Sequence, residues 1–454
     1  VALHSNRACV IGGGLAGLAA AYDIGRTGAE VIVFDASNVL GGLASSVNVG
    51  ALTIERFYHF ICRGDDDLLQ LADELDISDK VHWARSKTAF FHNGTLYPFG
   101  KAIDLVRFHP IPIWQRLLFG LNVLQCVQRT EWKKLDGISA KRWLIDRLGE
   151  KAYEVLWDPL LRVKFGDYHE QVSAAWIWHR IRRVAASRKR LWEPEQLGYL
   201  ESGTETVIAA LKARLESMPN VSIRSETVVE KLLMDNMRVT GLRLKTGEEV
   251  PCSTVLSTVA LQVLGRMIPE WDKEYCHRLR RIDYIGVVCG LFRLREPVTN
   301  AFWTNINDSR IPYNGIIEYT NLNRHVREAL GGRSIVYIPY YLRTNSPRYE
   351  YSDEVLRAEF IDGLKLVNPR FHPSWVEDFH VYRERHAQAI CTVGFANIIP
   401  DHRAPYAGLY LTDSTQYYPE DRTISAAIRL GRRVAKLIQL DTAGMTRLPV
   451  PVRQ

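Results

Sequence analysis

Cysteine spacing of the kind that makes bridges or metal clamps is missing from this 454-residue sequence. The seven cysteines (Cys9, Cys62, Cys126, Cys252, Cys276, Cys289, Cys391) are scattered, odd in number and never spaced CxxC. That excludes a disulfide framework or a cysteine zinc site and points to a reducing, cytoplasmic setting. Long apolar runs are missing too. The most apolar later stretch, Leu117–Val127, is broken by Asn122 and Gln125 and falls short of the ~20 residues a spanning helix needs. Val1–Arg7 has no apolar stretch of the secretory type. The expectation is a soluble protein, or one peripheral at the inner face of a membrane. Strong net charge is lacking as well: Lys plus Arg exceed Asp plus Glu by 58 − 51 = 7. This excess is too diffuse for nucleic acid but suits an anionic small-molecule substrate. There is no GxSxG, HExxH or Cys–His nucleophile signature, no repeat and no low-complexity segment, and no metal site is expected.

What is present is an ordinary globular composition, 46% hydrophobic and 24% charged. The length exceeds what one core usually serves, so two connected domains are expected. Chemistry begins in the first fifty residues. Ala8–Ile11 reads as a strand, Gly12-Gly13-Gly14-Leu15-Ala16-Gly17 as a GxGxxG turn, Leu18–Ile24 as a helix, and Glu30–Phe34 as a second strand ending in Asp35. Each glycine has a mechanical reason. Gly12 permits the tight turn, Gly14 lets the backbone approach a pyrophosphate, and Gly17 lets helix and strand pack closely. The helix N-terminus then faces the pyrophosphate, and Asp35 accepts from the adenosine ribose.

NAD and FAD share this fingerprint. The continuation Asp35-Ala36-Ser37-Asn38-Val39-Leu40-Gly41-Gly42-Leu43-Ala44 resembles the extended signature of FAD enzymes in the amine oxidase superfamily. That superfamily includes protoporphyrinogen oxidases, carotenoid desaturases and, more distantly, UDP-galactopyranose mutases. Val39 stands where the signature has arginine, so a cation there is absent or supplied from elsewhere. Asn220–Leu232 alternates like a strand, Arg238–Leu244 is a strand followed by a turn, and Val255–Thr258 is a buried strand. This block resembles the superfamily's second FAD segment, in which the backbone at Val229 meets the adenine, and Gly203 precedes a helix Glu205–Leu215. At the C-terminal end, Gly408–Asp413, Tyr417–Ser425 and a helix Ala426–Ile438 resemble the last FAD motif, with Thr412 in place of the usual glycine. There Asp413 is expected to bind the ribityl chain, and N–H groups near Thr423–Ser425 to face the N1/C2=O edge of the ring. Tyr417 and Tyr418 would form an aromatic wall, core packing being the alternative. The resemblance thus implies FAD held by Gly12, Gly14, Leu15, Ala16, Gly17, Asp35, Ala36, Gly41, Gly42, Leu43, Ala44, Val229, Thr258, Asp413, Arg422, Thr423 and Ile424.

The implied fold class is α/β. A discontinuous Rossmann-like FAD domain (residues 1–60, 195–260 and 385–440) carries an inserted α+β substrate domain (61–194 and 261–384). The latter would hold a mixed or antiparallel sheet and a helical subdomain, and residues 441–454 a mobile tail. Lys101–Arg190 reads as mainly helical, with helical spacing in Trp114–Val127 and Ala140–Leu161, while Val287–Leu294, Ile316–Tyr319 and Ile335–Tyr341 read as roof strands. His59, Arg343 and Gln388 are the polar candidates for substrate or ring, each with a structural role as the competing reading. The basic run Arg180, Arg182, Arg183, Arg188, Lys189, Arg190 is a solvated face or a patch for an anion. Phe108–Phe119 is amphipathic and raises peripheral membrane contact. Two activities are expected to compete: hydride transfer from an unidentified small molecule to flavin N5, and a nucleotide-sugar mutase reaction that uses reduced FAD. A flavin-binding protein without turnover is a third class, and the oligomeric state stays open.

Overall fold

The computed structural model describes residues 7–50, 52–186, 195–269 and 272–444. Two sheets organise it. The first is parallel and five-stranded, in the order Leu409–Leu411, Thr254–Ser257, Arg7–Ile11, Glu30–Phe34, Val221–Arg224. Its central strands are apolar without alternation because helices cover both faces. The helix Leu15–Gly25 packs on it, buried along most of its length. Against that helix lies the C-terminal helix Ile424–Thr442, approaching so closely that a Cβ at Gly431 would sit 2.1 Å from the Ala16 carbonyl oxygen. A glycine there brings the two ends of the chain into one unit.

The stretch Asn220–Leu232 is not one strand. It splits into Val221–Arg224, parallel to Val31–Phe34, and Val229–Asp235, antiparallel to Arg238–Leu244 in a separate three-stranded sheet. Glu226, at φ 52°, turns the chain between them. Alternation alone does not mark such a break, because both halves keep period two.

The second sheet is mixed and seven-stranded: Val376–Ala389, Tyr284–Leu294, Ser334–Arg343, Gly315–Glu318, Trp303–Ile306, Thr88–His92, Thr95–Pro98. It forms the roof. Between residues 101 and 190 the described chain is helical, in pieces that include Ile113–Gln128, Ala140–Leu148, Asp158–Phe165 and Ala174–Ala186. Gly149, at φ 84°, breaks the apolar periodicity expected to run from Ala140 to Leu161. Arg188, Lys189 and Arg190 of the basic run lie outside the described residues.

The C-terminal helix passes the expected tail boundary. Asp441 accepts from Arg403 Nε (2.7 Å) and Nη2 (2.8 Å) and from the Tyr410 hydroxyl (2.7 Å), which ties residue 441 to the sheet. Of the expected tail, residues 445–454 lie outside the described residues. No helix among the described residues is long and apolar enough to cross a membrane.

Candidate active site

The floor of the site is made of backbone. Gly12 adopts φ 104°, and a Cβ there would meet Thr258 Oγ1 at 2.5 Å. Thr258 Oγ1 donates to the carbonyls of Ile11 (3.0 Å) and Gly12 (3.1 Å), so this side chain buttresses the turn instead of reaching a ligand. A Cβ at Gly17 would lie 2.0 Å from the Gly12 oxygen. Gly14 differs: a Cβ there would meet nothing closer than Gly42 Cα at 3.9 Å. Its neighbourhood is open, as a cradle requires.

Asp35 closes the cradle, accepting from the N–H groups of Gly13 (2.6 Å) and Ser37 (2.7 Å). Two of its lone-pair directions remain for a ribose. Leu15 and Ala44 are buried packing residues, Ala16 packs on Gly431, and Ala36 is an exposed turn residue. What each can offer a ligand is backbone. The loop Gly41-Gly42-Leu43-Ala44 lies beside the cradle through a Gly41 N–H bond to the Gly13 carbonyl (2.8 Å). Val39, 42% exposed, points to water. Arg56 places a cation at this loop, its Nη2 donating to the Gly42 carbonyl (2.8 Å) while its buried Nε has no partner among the described residues. The Thr227 N–H bonds the Asp35 carbonyl (2.8 Å), two residues before buried Val229, which opens the strand paired with Arg238–Leu244.

At the C-terminal end, Thr423 caps its helix by accepting from the Ala426 N–H (2.9 Å). The N–H groups of buried Ile424 and Ser425 find no acceptor among the described residues. They are orphan donors at the positive end of a 19-residue helix. Asp413 is already engaged within the protein. Its carboxylate accepts from the Leu261 N–H (3.2 Å), the Tyr284 hydroxyl, and the Thr415 N–H (2.9 Å) and hydroxyl (2.6 Å). Two of those donors are shared, the Leu261 N–H with the Tyr284 hydroxyl (3.1 Å) and the Thr415 hydroxyl with Gln416 Oε1 (3.0 Å), so Asp413 braces its loop without spending every lone pair.

The roof is made of side chains. Half-buried Arg422 reaches across to the mixed sheet, donating to the Ala387 carbonyl (2.6 Å) and the Tyr341 hydroxyl (2.9 Å). Tyr341 in turn meets the Tyr58 hydroxyl at 3.2 Å, and Tyr58 packs edge-on against Trp303. His59 joins this group. Its Nδ1 is buried without a partner, and burial together with the Arg422 guanidinium pulls its pKa down to about 4. It is a neutral imidazole at ordinary pH. Gln388 is buried with its Oε1 unpartnered, next to the Ala387 carbonyl that Arg422 holds. Arg343 stands apart at the rim, ion-paired with exposed Asp167 (3.3 Å) and lying over Tyr168. Tyr418 turns away into the helical subdomain, where its hydroxyl meets Asp136 and Ser173 and its ring packs on Trp132 and Phe395.

Lys164 is the residue that sequence reasoning missed. It ends the helix Asp158–Phe165 on the buried stripe of Leu161 and Phe165, and a lysine on such a stripe was the available signal. Its Nζ lies 4.7 Å from the Trp176 ring centroid and 4.8 Å from that of Tyr341. It has no hydrogen bond or ion pair among the described residues. Burial lowers its pKa to about 7; Arg180 and Arg422 push the same way and Asp421 opposes. Burial works against charge on Asp421 too, yet Lys164, Arg180, Arg422 and Arg183 hold it down at about 2. Arg180 bonds it directly (2.8 Å). The Lys164 amine and the Arg422 guanidinium act on this carboxylate only through space, and the surplus of basic groups makes the site electropositive.

Among the described residues one group could hold a metal ion, His82, Glu201 and His325, and none of these belongs to the site. The open cradle at Gly14, the orphan N–H pair, and the buried unpartnered Gln388 Oε1 and Arg56 Nε fit a bound flavin nucleotide.

Comparison with known proteins agrees with this geometry. The chain is 21% identical to a 4,4'-diaponeurosporene oxygenase of Staphylococcus aureus over 422 residues, 80% of this chain and 82% of that protein. A solved structure from Exiguobacterium sp. 255-15, bearing the provisional name protoporphyrinogen oxidase, superposes with a TM-score of 0.75 at 19% identity, covering 97% of this chain and 100% of that one. Reduced UDP-galactopyranose mutase gives 0.75 at 16%, with 97% and 96% covered. These likenesses establish the fold. The sequence profile of the flavin-containing amine oxidoreductases matches residues 15–439, and the chain belongs to that family.

Proposed function

We propose that this chain is an FAD-dependent oxidoreductase that removes hydride from a small-molecule substrate. The observation that carries the proposal is the pair of N–H groups of buried Ile424 and Ser425, unpartnered among the described residues, at the start of a helix packed against the cradle's helix. FAD is favoured over a mononucleotide because the cradle and Asp35 would otherwise lack an occupant. When bound, the ring supplies a two-electron acceptor at N5 for hydride leaving a C–H or C–N centre.

The chain's own residues do the rest. Ile424 and Ser425 donate to the ring edge on which negative charge develops, and the helix dipole adds to them. Arg56 supplies positive charge at the Gly42 loop in place of the absent arginine at position 39. Lys164, held among aromatic rings with no competing partner, accepts the substrate proton in its neutral form. Arg180 and Arg422 give the pocket the positive field that suits an anionic substrate. Arg343, already paired at the rim, has no part in the chemistry.

A second reading, a nucleotide-sugar mutase working on reduced FAD, is favoured by the guanidinium groups of Arg180 and Arg422 near Asp421, which suit a diphosphate. Anaerobic mixing with a panel of amines, carboxylates and nucleotide sugars separates the two. Bleaching of the oxidised-flavin band by one class, with a stoichiometric oxidised product, supports the oxidoreductase. Isomerised nucleotide sugar from pre-reduced protein, without net redox change, supports the mutase.

A further inference from the structure

One helix of this molecule is inside out. Ile113–Gln128 buries Gln115, Asn122 and Cys126 and turns its large apolar residues outward: Ile113 is 52% exposed, Trp114 54%, Leu117 65% and Leu121 51%. The short helix Ala102–Val106 continues the surface with Ile103 and Val106. Eight of the eighteen exposed large apolar side chains among the described residues fall between positions 103 and 127. A helix on a water-facing surface has the opposite polarity, and a contiguous apolar surface of this kind marks an interaction site. Arg116 fixes it as one piece, its guanidinium donating to the carbonyls of Ile111 and Val106 and so clamping the two helices together.

Charge and a cavity indicate the partner. Residues 101–134 carry six basic side chains (Lys101, Arg107, Arg116, Arg129, Lys133, Lys134) and two acidic ones (Asp104, Glu131). Lys101, Arg107, Lys133 and Lys134 are exposed around the apolar face. Beside the long helix opens a cavity of about 290 Å³ lined by Asn122, Gln125, Arg129, Trp143, Arg147 and Trp178. Asn122 is 2% exposed with both amide atoms unpartnered, and the Trp143 Nε1 is a buried donor without an acceptor. Two arginines and two unsatisfied donors in a pocket beside an apolar face form a receptor for a phosphate attached to a lipid. A second copy of the chain would meet like charge with like charge.

We propose that this helix pair docks the protein on one leaflet of an anionic bilayer, the apolar face entering the acyl boundary and the arginine pocket taking a phospholipid headgroup. Apolar insertion with a basic surround is the physics of in-plane anchors. Each basic side chain near such a surface is worth about five-fold in binding.

Flotation of the full chain with vesicles of phosphatidylcholine alone, and with one third phosphatidylglycerol, tests this. The protein should float with the anionic vesicles and bind the neutral ones at least about ten-fold more weakly. Leu117→Glu with Leu121→Glu should abolish flotation on both while leaving the flavin spectrum and Tm unchanged. Arg129→Gln with Arg147→Gln should remove most of the preference for phosphatidylglycerol and leave weak neutral binding. Unaltered flotation of the leucine variant would overturn the proposal. So would absence of flotation in a protein that sediments as a dimer and becomes monomeric on Leu117→Glu, because the face would then be a subunit interface. If the arginine variant keeps its anionic preference, the headgroup pocket is wrong.

Discussion

The floor and the roof of the site are built from different materials. The floor is glycine and main chain: Gly12, Gly14, Gly17 and Gly41 with the N–H groups of Ile424 and Ser425, set out by a parallel sheet and two packed helices. The roof is long polar side chains, Arg422, Lys164, Tyr341 and Tyr58, sent from separate elements to meet over a charged centre. Main-chain groups suit the part of a ligand that every relative shares. Side chains can be exchanged without disturbing the fold, so on the function proposed above substrate choice would rest with the roof.

The comparison breaks most visibly at Gly14. Gly14→Val should fold normally, since a Cβ there meets no protein atom closer than 3.9 Å, yet flavin affinity should fall by about two orders of magnitude or more. Circular dichroism with flavin content after gel filtration checks both halves. Full flavin content would show that the cradle is not where the cofactor lies. Gly17→Val, 2.0 Å from the Gly12 oxygen, should instead fail to fold.

On the roof the largest effect is expected at Lys164. Its amine accepts a proton only when neutral, so with a pKa of about 7 the single-turnover rate should rise through neutral pH and level off above it. Lys164→Met should lower the rate by about 10²–10⁴-fold and erase that limb, with flavin still bound. His59, at about 4, should contribute no limb near neutral pH. An unchanged profile in Lys164→Met would remove Lys164 from the chemistry.

Asp413→Ala should act on the fold more than on the ligand. It deletes the acceptor of four donors, two of which have a second acceptor, so a loss of roughly 1–3 kcal/mol of stability is expected. Denaturant titration measures it, and a flavin-affinity defect at full stability would support the ribityl role. Smallest of all, Arg343→Gln breaks one rim ion pair and should shift stability and turnover by no more than about 1 kcal/mol.

How much of this the sequence discloses follows the same division. The cradle was legible because a turn, a close approach and a helix contact each demand glycine at a fixed spacing. The helix start was legible because Thr423 is a cap residue ahead of a periodic apolar run. Arg56 was hidden, since the motif names position 39 and this cation sits in the bend just after the strand Leu52–Glu55. Lys164 was hidden because its isolation among rings is a tertiary fact, although its place on an apolar stripe was visible. The bracing of Asp413 was invisible: two of its donors, Leu261 and Tyr284, lie 152 and 129 residues away. In Asn220–Leu232, an unbroken alternation concealed a change of sheet.

The central claim is that backbone from both ends of the chain holds one FAD. Protein purified without added cofactor, or reconstituted with FAD, and then denatured in acid answers it directly. The account predicts a yellow protein that releases one FAD per chain and no FMN, with nothing left on the precipitate, because no cysteine lies between Gly408 and Ile438 to tether the ring. Colourless protein that takes up no FAD, or one that releases only a mononucleotide, would contradict it.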